Sequence, residues 1–138
     1  MAFSWPVRVY WEDTDAGGIV FYANYLKFFE RARTEWLRAL GHGQQQLKAT
    51  LGAMFVVTDA QLRYLRPARL DDELLITTAL AGHSRASITV QQQALLAPGT
   101  PGAPPTVLAQ ASIRIGWVDV QTLRPRRIPP TLLQQLHP

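Results

Sequence analysis

Residues 9–41 read VYWEDTDAGGIVFYANYLKFFERARTEWLRALG. The stretch leaves a strand, crosses an acidic loop holding Glu12, Asp13 and Asp15, passes the pair Gly17-Gly18, and enters the one long amphipathic helix of the chain. Over residues 23–40 the apolar positions Tyr25, Phe28, Phe29, Ala32, Trp36, Ala39 and Leu40 recur at helical spacing, with Lys27, Arg31, Thr34 and Arg38 opposite. Leu26 and Leu37 widen the apolar side, so the helix is expected to be covered over more than half its circumference. Gly41 supplies a stop. An acid beside the amino end of a helix is an arrangement suited to catalysis, because the unpaired N–H groups there attract developing negative charge.

Around this stretch the period is two. Residues 6–11 read as a strand, with Val7, Val9 and Trp11 alternating against Arg8 and Tyr10. A weaker helical turn is expected at 44–50. Residues 54–64 form a long strand, with Met54, Val56, Thr58, Ala60, Leu62 and Tyr64 sharing one side. Strands follow at 73–81, 86–96 and 106–118. Their repeating faces are Leu74/Ile76/Thr78/Leu80, Ile88/Val90/Gln92/Ala94/Leu96 and Val107/Ala109/Ala111/Ile113/Ile115/Trp117. Residues 98–105 are a Gly/Pro loop, and 130–136 close with a short helix. The order β, long α, then four strands predicts an α+β domain. In it an antiparallel sheet curls around a single helix, since the helix has only that sheet to bury itself on.

Composition narrows the function. The 138 residues suit one domain with a real core, and 47% are hydrophobic. No apolar run approaches the ~18 residues needed to cross a bilayer. The N-terminus lacks a charged-then-apolar signal pattern, and the expectation is a cytoplasmic protein. Without cysteine there is no thiol nucleophile, disulfide or Cys-ligated metal. The net charge is +4, carried mostly by Arg, since Lys27 and Lys48 are the only lysines. That charge fits either a general Arg bias or an anionic, phosphate-bearing ligand. No nucleic-acid motif is present. His42, His83 and His137 lie in loops or the tail at spacings that suggest no metal site.

The segment EDTDAGGIVFYANY, with ERARTEWL in the helix and YLRPARLDDEL after the second strand, resembles hotdog-fold acyl-CoA thioesterases of the 4-hydroxybenzoyl-CoA thioesterase family. Within it, the likeness is greatest to the bacterial thioesterases linked to the Tol-Pal envelope system. The resemblance spans nearly the whole chain. It implies a curved antiparallel sheet wrapped around one long central α-helix, and hydrolysis of acyl-CoA without a metal or a separate cofactor. It places the family's catalytic aspartate on Asp15, its main-chain donor on Tyr22, and its loop glycine on Gly18. Some Tol-Pal-linked relatives carry histidine where Tyr22 stands, but a side-chain change leaves the main-chain N–H in place. Relatives of the hydroxybenzoyl type use basic residues at the turn between the third and fourth strands, where this chain has Arg85. Arg124, Arg126 and Arg127 form a second cluster, and Arg85 and Arg126 are the candidates for the CoA phosphates. The resemblance also implies a side-by-side homodimer that assembles into a homotetramer, with acyl carrier protein as a further possible partner.

Thioester hydrolysis needs a base or nucleophile and a donor for the oxygen that becomes negative. Asp15 supplies the first, attacking directly or activating water. Helix N-terminal N–H groups near Tyr22 supply the second, one such donor being worth about 10²–10³-fold in rate. The structural alternative for Asp15 is an Asx-turn or a capping carboxylate. Glu12 and Asp13 read as turn residues or as a local field on Asp15, and Glu35 as an ion-paired residue one turn from Arg31. Two other readings compete. The DTD sequence fits a haloacid-dehalogenase-type phosphatase, which requires Mg²⁺ and a parallel βαβ sheet. An acyl-CoA or acyl-carrier-protein binding hotdog protein without catalysis fits as a sensor or scaffold.

Overall fold

The computed structural model describes residues 2–137. Five strands form one sheet: β1 (Phe3–Arg8), β2 (Ala53–Tyr64), β3 (Glu73–His83), β4 (Ser87–Leu96) and β5 (Thr106–Asp119). Every pair is antiparallel, and the order across the sheet is β1-β3-β4-β5-β2. A short turn joins β3 to β4 and the Gly/Pro loop joins β4 to β5, so consecutive strands are neighbours. The segment after β2 instead carries the chain from one edge of the sheet to the strand beside the other edge. No parallel pairing exists among the described residues, which removes the phosphatase reading.

The long helix α1 (Tyr25–Ala39) packs on the inner face of the sheet. Its stripe Tyr25, Phe28, Phe29, Ala32, Trp36 and Leu37 is buried, whereas Leu26, Ala39 and Leu40 are exposed. The helix therefore shows a free strip to solvent instead of being covered over most of its girth. Gly41, at φ 93, ends it in a conformation that costs glycine little. Two short helices, α2 (Gln44–Leu51) and α3 (Pro130–Leu136), contribute Leu47, Leu132 and Leu136 to the core.

The inner positions of β3 and β4 follow the sequence pattern: Leu74, Ile76, Ile88, Val90 and Ala94 are buried. So are the polar members of the same rows, Thr78 and Gln92. Gln92 donates to Thr78 Oγ1 (2.9 Å) and to the Phe29 carbonyl (3.0 Å), and accepts from Arg33 Nη1 (3.0 Å). Burial lowers the Arg33 pKa, and the charge of Glu30 opposes that shift. A guanidinium taken this far from water requires such partners.

Three expectations are corrected. The first strand ends at Arg8, not Trp11. Val9 still exchanges backbone hydrogen bonds with Asp71 and Asp72, but at Tyr10 the chain turns outward, because the Tyr10 N–H is captured by the Asp13 carboxylate at 2.8 Å. Trp11 consequently stands 82% exposed. Secondly, β2 does not keep one face along its length. A bulge between Val57 and Asp59 reverses its parity. Before it, Phe55 packs on the core while Val56 stands over Gly116, as does Thr58 in the bulge; after it, Leu62 packs on the core. Thirdly, Glu35 pairs with Arg38, at 2.6 and 2.7 Å, and not with Arg31.

Candidate active site

The acidic loop is a tight hairpin. Asp15 N–H donates to the Ile19 carbonyl (2.9 Å), Gly18 N–H donates to the Asp15 carbonyl (3.1 Å), and Thr14 bridges Val20. Gly18 sits at φ 77, the left-handed region that an L side chain rarely adopts. The hairpin is backed by the segment that follows β2. Val20 N–H donates to the Ala68 carbonyl and Leu70 N–H to the Gly18 carbonyl, while Ile19 bridges Arg69. That segment is pinned in turn by Tyr25 Oη, which accepts the Ala68 N–H at 3.1 Å, and by Arg8, which donates to the Asp71 carbonyl and pairs with Glu73. The RPARLDDE sequence is thus a brace for the loop.

Within this frame the two neighbouring aspartates differ. Asp13 is 5% exposed, and its carboxylate closes the turn at Tyr10. Its carbonyl accepts both the Phe21 N–H (3.0 Å) and Asn24 Nδ2 (2.9 Å), tying the loop to the entry of α1. Asp13 is therefore a turn residue. Asp15 is exposed, and its Oδ1 accepts the Gly17 N–H at 2.8 Å. This is an Asx-turn, which engages one carboxylate oxygen.

Ahead of α1 lies a 3₁₀ turn, Tyr22–Asn24. Among the described residues, the N–H groups of Tyr22 and Ala23 donate to no protein acceptor. Two adjacent unpaired amides at a helix entrance are suited to an oxygen that gains negative charge. One side of the turn forms a cleft of about 250 Å³ with Ile19, Val20, Tyr25, Tyr64 and Pro67. A larger cleft of about 440 Å³, between the end of α1 and β3, contains no residue of the acidic loop.

The structure separates the basic candidates. Arg85 shares a cleft of about 420 Å³ with His83, Ser84 and Arg127. Arg126 does not line that cleft. It donates to the carbonyls of Leu51 and Gly52 at 3.0 Å and lies 3.7 Å from Asp119, tying the tail to the end of α2. His83 ends β3 with its ring 5.4 Å from that of His137, and His42 bonds Gln135. Among the described residues, no group of three or more His, Asp or Glu side chains comes together as a metal-ligand set. None of the described helices is long and apolar enough to cross a membrane.

The sequence profile of the Thioesterase-like superfamily matches residues 9–136. The chain belongs to that family. Acyl-CoA thioester hydrolase YbgC of Escherichia coli is 41% identical over 133 residues, covering 96% of this chain and 94% of the relative. Acyl-CoA thioesterase YbgC of Haemophilus influenzae is 38% identical over 135 residues, covering 98% and 94%. Among solved structures, a probable thioesterase from Bartonella henselae superposes with a TM-score of 0.85 at 32% identity, over 94% of this chain and 100% of that one. A mutant of 4-hydroxybenzoyl CoA thioesterase complexed with 4-hydroxybenzoyl CoA superposes at 0.88 with 20% identity, over 98% of both chains; at that identity the likeness concerns the fold. The sheet around a central helix is the hotdog fold of these thioesterases.

Sequence reasoning missed the ties that shape this region. Asn24 holds the loop to the helix entry through its side-chain amide, and the acceptor is the main-chain carbonyl of Asp13, which no residue type announces. Tyr64 stands at the mouth of the cleft because the bulge in β2 turns the end of that strand inward.

Proposed function

We propose that this chain, a thioester hydrolase by family, cleaves acyl-CoA to the free acid and coenzyme A. Asp15 acts as general base or nucleophile. The N–H groups at Tyr22 and Ala23 polarise the thioester carbonyl, and Gly18 gives the loop its close turn. The observation that carries this reading is an exposed carboxylate on the braced hairpin, followed a few residues later by two unclaimed amides at the entry of α1. Only one Asp15 oxygen is engaged in the Asx-turn, so the other is available to water or to the carbonyl carbon.

In this reading coenzyme A enters with its phosphates toward Arg85 and Arg127. Arg guanidinium groups suit such anions. Arg126, held by main-chain carbonyls, contributes to the shape of the tail.

The active form is a homodimer, and a homotetramer at the next level. β2 is a sheet edge of 12 residues on which Val57 is 49% exposed, and an unpaired edge of this length invites pairing with a second copy. A neighbouring subunit over the hairpin would also exclude water from Asp15, which is open to solvent in the single chain. A cytoplasmic location, a link to the Tol-Pal system and delivery of acyl groups by acyl carrier protein belong to the same reading.

The test is thiol release from a panel of acyl-CoA thioesters graded by chain length, with aromatic members included. Turnover of at least one member is expected. Tight binding of the panel with no turnover would favour the non-catalytic sensor instead.

A further inference from the structure

We propose that Tyr64 is a positioning residue for the hydrolysis: its hydroxyl holds the carbonyl of Tyr22 and so aims the amides of the 3₁₀ turn at the reacting group. The inference rests on the catalytic role proposed for Asp15 and that turn. Tyr64 is the last residue of β2, and its hydroxyl donates to the Tyr22 carbonyl at 2.9 Å. Among the described residues it is the only side chain that donates to a carbonyl of residues 21–24. Its ring is fixed on two sides, edge-on to Tyr22 at 6.1 Å and to Tyr25 at 5.5 Å.

A peptide unit is planar, so the Tyr22 carbonyl and the Ala23 N–H are two ends of one rigid plate. Holding the oxygen fixes where the N–H points, and fixes it relative to the Tyr22 N–H next to it. Asn24 secures the other flank through its bond to the Asp13 carbonyl. The turn is thereby clamped from the sheet side by Tyr64 and from the loop side by Asn24. Such preorganisation is what gives amide donors their effect on rate, since a donor that must reorient loses most of it. Burial raises the Tyr64 pKa, with Tyr22 and Tyr25 adding to the shift, so the hydroxyl keeps its proton and remains a donor at neutral pH. Tyr64 is itself 45% exposed, which makes a role in core packing a poor account of it.

The experiment compares wild type, Tyr64→Phe and Asp15→Asn on one acyl-CoA substrate, recording kcat, KM and Tm, with the Ala23 amide followed by ¹H–¹⁵N NMR. Tyr64→Phe removes one hydrogen bond and keeps the ring. The expected result is a fall in kcat of about 5- to 20-fold, KM within about twofold, Tm within about 2 °C, and a displaced Ala23 amide resonance. Wild-type kcat with an unmoved Ala23 resonance would overturn the proposal. So would a loss of activity that merely follows a lower Tm. If Asp15→Asn is inactive while Tyr64→Phe is normal, the positioning role fails and the site reading stands. If Asp15→Asn is fully active, the site reading fails, and the positioning role in hydrolysis fails with it.

Discussion

Arg33 of α1 donates to Gln92 of β4 across 3.0 Å in the interior of the domain, joining residues 59 apart in sequence. Gln92 passes the connection on to Thr78 and to the Phe29 carbonyl. The network ties the middle of α1 to β3 and β4 inside an otherwise apolar interior. Gln92→Leu removes the acceptor of the Arg33 guanidinium. A loss of about 2–4 kcal/mol is expected by urea unfolding. The double variant Arg33→Met, Gln92→Leu should recover much of that loss, since it removes both members. Equal destabilisation of single and double variants would show that packing, and not the unpaired charge, sets the cost.

The two glycines of the hairpin should respond differently to alanine. Gly18 has φ 77, and a Cβ there would meet nothing within 4 Å, so Gly18→Ala carries a backbone cost alone. About 1 kcal/mol and a few degrees of Tm are expected. At Gly17 a Cβ would stand 3.2 Å from Asp15 Oδ1. Gly17→Ala should displace the carboxylate and reduce kcat more than it reduces Tm. Melting curves and thiol release on both variants check the contrast.

Edge pairing through β2 makes a further prediction. Val57→Asp places like charges near each other when two copies align, and should shift the protein toward the monomer in light scattering. Activity per chain should fall with the dimer fraction. A monomeric variant with full activity would show that one chain completes the site.

Asp119 gives the fold an acid-side dependence. Its pKa is lowered, chiefly by the main-chain N–H groups of Thr122 and Gln121, with Arg126 adding a smaller effect. A carboxylate with a depressed folded-state pKa contributes stability above its unfolded pKa, and loses it as pH falls through the folded value. The stability difference between wild type and Asp119→Asn should therefore be present at pH 7 and shrink below the ordinary carboxylate range. Urea unfolding at several pH values measures it.

Much of this is legible in the chain itself. The helix period around Phe28, Phe29 and Ala32, and the alternation in β3, β4 and β5 from Ala109 onward, are short-range patterns that burial enforces directly; at the start of β5 a register shift buries Leu108, which the alternation set opposite, and leaves Val107 half-buried. Gln92 and Thr78 stand on the inward rows of those patterns. Arg33 does not stand out, because its burial depends on a partner 59 residues away. The bulge at Thr58 is hidden for a similar reason: alternation continues in the sequence while the backbone changes parity. The acidic hairpin announces itself through Gly17-Gly18. The braces on it do not, because most run through main-chain groups that every residue carries. Arg85 and Arg126 read alike as cations on the surface, and only their neighbours tell them apart.

On this account Asp15 carries the chemistry. The most direct test is kcat for Asp15→Asn, a change that keeps the shape of the side chain and its ability to accept the Gly17 N–H. The expected outcome is a fall of about 10³-fold with Tm close to wild type. A variant that retains kcat within a few-fold of wild type would contradict the account and leave Asp15 as a turn residue.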